Sequence, residues 1–521
     1  MSHDHPHVAP ALHQLPDLRP GSLPSRLALP GPPAQPFDLT LRPPGSKSLT
    51  NRALLIAALA HGTSTLRQPL IDAEDARVMI AALRALGADI AVDPGPATSP
   101  ASGAPDAPPP SVRVAGVGGR WRLSPGQTLT LNLANAGTAT RFLAAAALLA
   151  PAGASVIIDG DARMRQRPIG ELAAAITAAA GPAACQFLAT PGTPPLRIAG
   201  GLLASPPNAP ARISLSTTLS SQFISAMLLL GPFLPHGLRI DFTGPITSEP
   251  YVSMTLALLA RLGAIVSDHR PDWAQVSPQP AGPASNASAD LALGAPTGLR
   301  AFELGIEPDA SGATYLLAAA ALVPGARVTV PGLDTRPGRS MQGDARFVEV
   351  LRAMGAPVSH APDATTLTGP AALRPIDADL ADMPDTAMTA AVLACFAQPT
   401  PSNPAAVSTL GGLRTLRHKE TDRLAALVRE LAKLGATAQV IPEPGDDEAL
   451  RIVPPPPPAS RPAAPHDHTI VFDTYKDHRM AMALALAALR RPGVVIDDPA
   501  CVAKTYPGYW QHLARVFANE T

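Results

Sequence analysis

One kind of segment recurs six times along this chain of 521 residues: a short polar opening that runs straight into Ala and Leu. The copies read GSKSLTNRALLIAALA, NAGTATRFLAAAALLA, LSSQFISAMLLLG, DASGATYLLAAAAL, PDTAMTAAVLACFA and KDHRMAMALALAAL, opening near residues 46, 137, 220, 309, 385 and 477. Ala and Leu at this density favour helix. A helix that is apolar on nearly every side belongs inside a domain, surrounded by sheet and other helices. A chain of this length normally divides into domains, and three copies in each of two domains give domains of ordinary size.

A second, more amphipathic helix is expected after each of these. Most end in a similar stop, as in ALRALGADI, LLARLGAIV, VLRAMGAPV and RELAKLGATA, where the glycine reads as a C-cap. In the last of these helices Leu424, Leu427, Val428 and Leu431 form one apolar stripe. Short β-rich runs follow, among them SVIIDGD, RISLS, LRIDFTG, ARVTVPG and GVVIDDP. The unit is therefore strand–helix–strand–helix–strands, an α/β repeat of about 80–90 residues, larger than a solenoid repeat.

The chain has 62 prolines, unevenly spread; residues 93–110, 278–290 and 441–468 are Pro/Ala-rich and read as solvated insertions unable to sustain helix or central strand. Residues 1–24, with their scattered histidines, read as a disordered tail. The balance of 41 basic against 41 acidic residues argues against a general nucleic-acid binder, so any anion site must come from local clustering. Three widely spaced cysteines, no CxxC pair and no secretory pattern at the N-terminus fit a reducing, cytoplasmic setting without a metal framework. No run of about 18 strongly apolar residues suggests a membrane span.

Charge collects at the polar openings. Lys47, Ser48, Asn51 and Arg52 share one helical face, yet Gly45-Ser46-Lys47-Ser48 is only a fragment of a P-loop. Asn135, Gly137, Thr138 and Arg141 occupy the second opening, and Arg163, Arg165 and Arg167 alternate shortly after it. Ser220, Ser221 and Gln222 offer neutral donors at the third. Lys419 and Arg423 are expected at i, i+4 on a KETDR helix; Asp309, Asp385 and Glu420 add acids; His478, Arg479 and Lys504 complete the set. If six such helices aimed their N-termini at one cleft, their dipoles would make an anion site in a chain without net charge. Each motif alone also has a structural reading: DHR or KETDR as an ion-pair network, SSQ as an N-cap, GTATR as a tight helix start.

Taken together, PGSKSLTNRALLIAALA, LANAGTATRFL, RMRQRPIGEL, SSQFISAMLL, SEPY, DASGATY, MQGD, MPDTAMT, KETDRL, YKDHRMAMA and AKTYP resemble, in order across residues 43–507, the 5-enolpyruvylshikimate-3-phosphate (EPSP) synthases, or 3-phosphoshikimate 1-carboxyvinyltransferases. The resemblance implies two similar domains, each of three βαβαββ units in an inside-out α/β barrel, with the active site in the cleft between them. It places one domain at residues 46–307 and the other at 25–45 plus 308–521. It implies transfer of the enolpyruvyl group of phosphoenolpyruvate to the 5-hydroxyl of shikimate 3-phosphate, with loss of phosphate, by a monomer that uses no metal or organic cofactor, nucleic acid or membrane.

Family roles fall on matching residues. The resemblance implies catalytic roles for Lys47, Asp385, Lys419 and Glu420. On the shikimate 3-phosphate side it implies Lys47, Ser48, Arg52, Ser220, Ser221 and Gln222, with Ser248, Tyr251, Asp385, Thr415 and Lys419. On the phosphoenolpyruvate side it implies Lys47, Asn135, Gly137, Thr138 and Arg163, with Gln222, Arg423, Arg479 and Lys504. Two departures stand out: Phe142 where some relatives have Pro, and Thr415 where some have Asn. A related enolpyruvyl transferase acting on UDP-N-acetylglucosamine has a reactive cysteine in a loop over its cleft; Cys185, Cys395 and Cys501 do not match that loop. A catalytically silent anion-binding protein would be expected to have lost Asp385, Lys419 or Glu420.

Overall fold

A computed structural model describes residues 9–95, 109–201, 209–215, 220–278, 298–445, 447–456 and 469–518. The chain divides into two compact units. One comprises Gly45–Ala97 with Pro105–Glu307; the other comprises Met1–Pro44 with Pro308–Thr521.

Each unit is built from one motif used three times. In the first unit Thr128–Asn132 runs parallel to Ser155–Asp159, which pairs antiparallel with Leu196–Ala199, itself antiparallel to Cys185–Phe187. A parallel pair needs a crossover, and the helix Gly137–Ala146 supplies it; Gly170–Ala180 then leads into the closing hairpin. Ala211–Leu215, Leu238–Phe242 and the hairpin Ile265–His269/Trp273–Ser277 repeat the arrangement. So does the sheet around Thr63–Arg67, whose parallel opening strand, Glu303–Gly305, comes from the far end of the unit.

The second unit repeats the motif with opening pairs Asp38–Thr40/Arg327–Pro331, Asp377–Asp379/Ser408–Gly411 and Ile470–Phe472/Val494–Asp497. The last of these sheets has three strands, its third being Arg26–Ala28 from near the N-terminus.

All six Ala/Leu segments are helical: Lys47–Leu59, Gly137–Ala146, Gln222–Leu228, Ala310–Leu322, Ala387–Ala394 and His478–Ala485. Burial is nearly complete; every residue of Ala387–Ala394 and all but Ser311 of Ala310–Leu322 are enclosed. Small alanine side chains let these helices approach closely. Within the second unit Ala387–Ala394 packs on both Ala310–Leu322 and His478–Ala485; within the first, Gly137–Ala146 packs on both Lys47–Leu59 and Gln222–Leu228.

Two expectations need correction. Residues 9–24 are ordered: Ala11 bridges to Ala28, and Leu12 is 1% exposed within the core. Only 1–8 of the expected tail lie outside the described residues. The stretch 441–468 is in part sheet. Asp447–Val453 lies between Ser408–Gly411 and Thr437–Glu443, and buries Ala449, Leu450 and Ile452. Pro442 is accommodated because Thr437–Glu443 is an edge strand, where a missing N–H breaks no ladder. Residues 96–108, 279–290 and 457–468 of the three insertions lie outside the described residues.

Candidate active site

The polar helix openings gather within each unit, and the two gatherings differ in chemistry. In Gly45–Glu307 they are cationic and hydroxyl-rich. Ser46 caps the first core helix by accepting from Leu49 N, and Lys47 follows with its Nζ 3.4 Å from Oδ2 of Asp75. Arg52, 2% exposed, donates from Nε to Thr255 Oγ1 (2.8 Å), from Nη1 to Ser48 O (3.0 Å), and from Nη2 to Ser225 Oγ and Tyr251 O (both 3.1 Å). Its guanidinium also lies 5.1 Å from the centroid of Phe142, the residue that replaces Pro. Burial lowers its pKa to about 10, still charged near neutrality, with Tyr251 opposing the shift.

The second and third openings meet where Gln222 Nε2 donates to Thr138 Oγ1 (3.4 Å). Ser220 Oγ accepts from Gln222 N, and Ser221 is buried. Ser248 adopts a left-handed backbone (φ 53°), and its carbonyl accepts from Tyr251 N as the helix Pro250–Arg261 begins. The three alternating arginines separate into three environments. Arg163, half-buried, donates to Gln166; Arg165, exposed, pairs with Asp159; Arg167, buried, donates to Asn135 Oδ1.

In the other unit the openings carry an ion-pair network centred on Arg423, which is 1% exposed. Its Nη1 reaches Asp385 Oδ1 and its Nη2 reaches Glu420 Oε2, both at 3.0 Å. Asp477 grips the same guanidinium from behind, at 2.7 Å to Nε and 3.1 Å to Nη2. Burial works against the charge on Arg423, but Asp477, Glu420 and Asp385 outweigh it and raise its pKa. Asp385 also meets Arg479 Nη2 (2.8 Å) and Lys419 Nζ (3.6 Å), while Glu420 meets Lys504 Nζ (3.3 Å). Two carboxylates therefore share four cationic side chains. Thr415 lies in the turn Arg414–His418, just before Lys419; its buried Oγ1 has no hydrogen-bond partner.

Lys419 and Arg423 do not share a helix as the spacing suggests. The helix begins at Arg423, capped by Asp422, which accepts from Ala425 N; Lys419 ends the preceding turn. Several supporting residues escaped the sequence reading. Asp75, Ser225 and Thr255 back Lys47 and Arg52. Asp477 both orients Arg423 and caps the last core helix through Arg479 N (2.9 Å). Asp344 accepts from Ser311, which lies 3.4 Å from Arg479 Nη2. Asp477 sits in the quoted DHR motif and could have been recognised as an N-cap; the others act across the fold.

The cysteines are unsuited to nucleophilic chemistry. Burial pushes the Cys185 thiol up to about 11 and Cys395 to about 12, and raises Cys501 as well. No helix among the described residues is long and apolar enough to cross a membrane.

Comparison with known proteins identifies the family. The family model described as EPSP synthase (3-phosphoshikimate 1-carboxyvinyltransferase) matches residues 33–513. The 3-phosphoshikimate 1-carboxyvinyltransferase of Thiobacillus denitrificans is 39% identical over 481 residues, covering 92% of this chain and 96% of the relative. The chloroplastic enzyme of that name from Arabidopsis thaliana is 37% identical over 485 residues, covering 91% and 81%. Among solved structures, EPSP synthase from Acinetobacter baumannii superposes with a TM-score of 0.66 at 22% identity, over 94% of this chain and 97% of that one, a likeness of fold. The chain belongs to the EPSP synthase (3-phosphoshikimate 1-carboxyvinyltransferase) family.

Proposed function

We propose that these two sets of residues carry out the reaction for which the family is named. The enolpyruvyl group of phosphoenolpyruvate is transferred to the 5-hydroxyl of shikimate 3-phosphate, giving 5-enolpyruvylshikimate 3-phosphate and phosphate. The observation that carries this reading is Arg423 holding Asp385 and Glu420 at 3.0 Å each while Arg479, Lys419 and Lys504 converge on the same carboxylates. Two polyanionic substrates require clustered cations, and guanidinium forks suit phosphate and carboxylate. Proton transfers at both the hydroxyl and C3 require carboxylates among those cations.

In this reading Ser48, Ser220, Ser221, Ser248, Tyr251 and Thr415 hold shikimate 3-phosphate, with Gln222 between the substrates. Arg52 holds shikimate 3-phosphate with them, and its bonds to Ser48 O and Tyr251 O fix its place. Asn135, Gly137, Thr138, Arg163, Arg423, Arg479 and Lys504 hold phosphoenolpyruvate, and Lys47 serves both. The 5-hydroxyl oxygen attacks C2 of phosphoenolpyruvate and its proton passes to Asp385, beside Lys419, while C3 gains a proton. The tetrahedral ketal then expels phosphate as C3 loses a proton and the double bond reforms, with Glu420 serving that carbon. We place the enzyme in the cytoplasm, acting as a monomer on small molecules.

Release of inorganic phosphate tests the reading. It is expected only when shikimate 3-phosphate and phosphoenolpyruvate are both present. Release that needs UDP-N-acetylglucosamine instead, or binding of both substrates without release, would reject it.

A further inference from the structure

The turn that carries Lys504 follows a sheet that its own repeat does not close. Among the described residues five sheets have four strands, and in each the last two pair antiparallel with one another. The sixth has three: Ile470–Phe472, Val494–Asp497 and Arg26–Ala28. At the edge of Arg26–Ala28, Ala11 bridges to Ala28, whose N donates to Pro10 O (3.0 Å). Residues 10–28 thus stand where the other repeats have their own closing strands. The family model begins to match at residue 33, so this segment precedes the matched residues.

The same segment holds the turn itself. Asp498, directly after the strand, has a left-handed backbone (φ 47°), which a residue with a side chain keeps only where its surroundings enforce it. Its N donates to Ser25 O (2.8 Å). Pro20–Ser22 packs on the turn Pro499–Lys504, and Leu12–Gln14 packs on the helix Tyr509–Ala518. That helix also grips the turn: Trp510 Nε1 donates to Pro499 O (2.9 Å), and Tyr506 Oη is hydrogen-bonded to His512 Nδ1 (2.6 Å). Lys504 is the last residue of the turn, 6% exposed, with its Nζ 3.3 Å from Glu420 Oε1. A lysine ammonium is a point charge on a flexible stem, so where it can act depends on where its backbone is held.

We propose that residues 10–28 form a brace that positions Lys504, anchored by Leu12 and Leu23. Leu12 is 1% exposed, and Leu23 is half-buried against the same core. Both are positioning residues: they act on phosphoenolpyruvate only through the turn that ends in Lys504. The proposal rests on the reading above that Lys504 holds that substrate. A binding group displaced by about 1 Å can lose 100-fold in rate, so a loosened brace weakens one substrate selectively.

Steady-state kinetics and amide hydrogen exchange of Leu12→Ala and Leu23→Ala in the full chain test this. Each is expected to raise KM for phosphoenolpyruvate at least about threefold and to leave KM for shikimate 3-phosphate within about twofold. Val328→Ala truncates a buried residue in another sheet of the same unit. It should lower the thermal midpoint through its cavity yet leave both KM values within about twofold. Lys504→Gln should raise KM for phosphoenolpyruvate at least about tenfold, and Leu23→Ala should add less than about twofold in that background, since both act through one ammonium. Amides of residues 499–506 should exchange faster in the two leucine variants than in Val328→Ala. This readout needs no turnover, so it reads the brace independently of the reaction assigned above. Unchanged exchange at 499–506, equal weakening of both substrates, full additivity with Lys504→Gln, or a Val328→Ala variant with the same KM shift would each overturn the proposal. Leucine variants without effect beside an impaired Lys504→Gln would overturn the brace alone; a Lys504→Gln variant with unchanged KM for phosphoenolpyruvate would overturn the role of Lys504 as well.

Discussion

The ammonium of Lys47 lies 3.4 Å from a carboxylate oxygen of Asp75, a residue 2% exposed. Lys47 therefore has a structural role alongside the catalytic one proposed for it. Lys47→Ala takes one partner from a buried carboxylate, which costs about 3 kcal/mol when the burial is deep. It is expected to lower both the thermal midpoint and turnover. Adding Asp75→Asn removes the stranded charge, so the double variant should regain most of its stability while turnover stays nearly abolished. If turnover returned to within about threefold of wild type, under ~0.7 kcal/mol of transition-state stabilisation, the catalytic role would be rejected.

Asp477 holds Arg423 with both oxygens while one of them also accepts from Arg479 N. Asp477→Asn keeps the shape and a capping oxygen but loses the charge, so it should cost about 3–5 kcal/mol, the range for breaking a buried pair. Asp477→Ala should lose about 1 kcal/mol more through the missing cap. Denaturant unfolding separates the two. A loss below about 1 kcal/mol for Asp477→Asn would mean that Arg423 is held by Asp385 and Glu420 alone.

The repeat was legible because its signals are local. Apolar length identified six buried helices, and Ser46, Asp309 and Asp477 each cap one through a side-chain oxygen. Asp75 was not legible as a site residue. It stands with Glu74 in the first turn of a helix, where acids are common for dipole reasons alone, and its meeting with Lys47 is tertiary. Ser225 and Thr255 sit mid-helix and read as filler until Arg52 is seen to end between them. Arg167 stands among three alternating arginines of which the family resemblance singled out Arg163; its burial and its bond to Asn135, against the surface pair of Arg165 with Asp159, separate it from Arg165. The misreading at 441–453 had the opposite cause. Proline density was weighed as a local veto, but strand order places Pro442 at an edge where it is harmless.

Asp344 gives stability a pH dependence of unusual sign for a carboxylate. Burial, reinforced by the charge of Asp385, raises its pKa from 3.8 to about 6, against the pull of Arg479 and Ser311. The folded state therefore holds this proton more tightly than the unfolded state, and the group's contribution falls as pH rises from about 4 through 6. Asp344→Asn should remove that slope. The variant should gain stability relative to wild type with rising pH, by up to about 3 kcal/mol above pH 7. Chemical denaturation at pH 5 and pH 7.5 checks this; a stability difference that stays constant between the two would mean Asp344 is ionised at both.

Thr415 offers a test of the shikimate 3-phosphate side that separates binding from folding. Its Oγ1 is buried with no hydrogen-bond partner, so the hydroxyl contributes nothing to stability through such a bond and carries a desolvation cost. Thr415→Val replaces it with a methyl of similar shape. The thermal midpoint is expected to stay level or rise. If the hydroxyl serves the substrate, KM for shikimate 3-phosphate should rise several-fold, corresponding to about 1 kcal/mol for one neutral hydrogen bond, while KM for phosphoenolpyruvate stays within twofold. Thr415→Asn restores a longer polar side chain at this position and should recover shikimate 3-phosphate binding relative to Val. A Val variant with both KM values unchanged would remove Thr415 from the site, whereas a marked fall in thermal midpoint would show that its hydroxyl supports the turn Arg414–His418 instead.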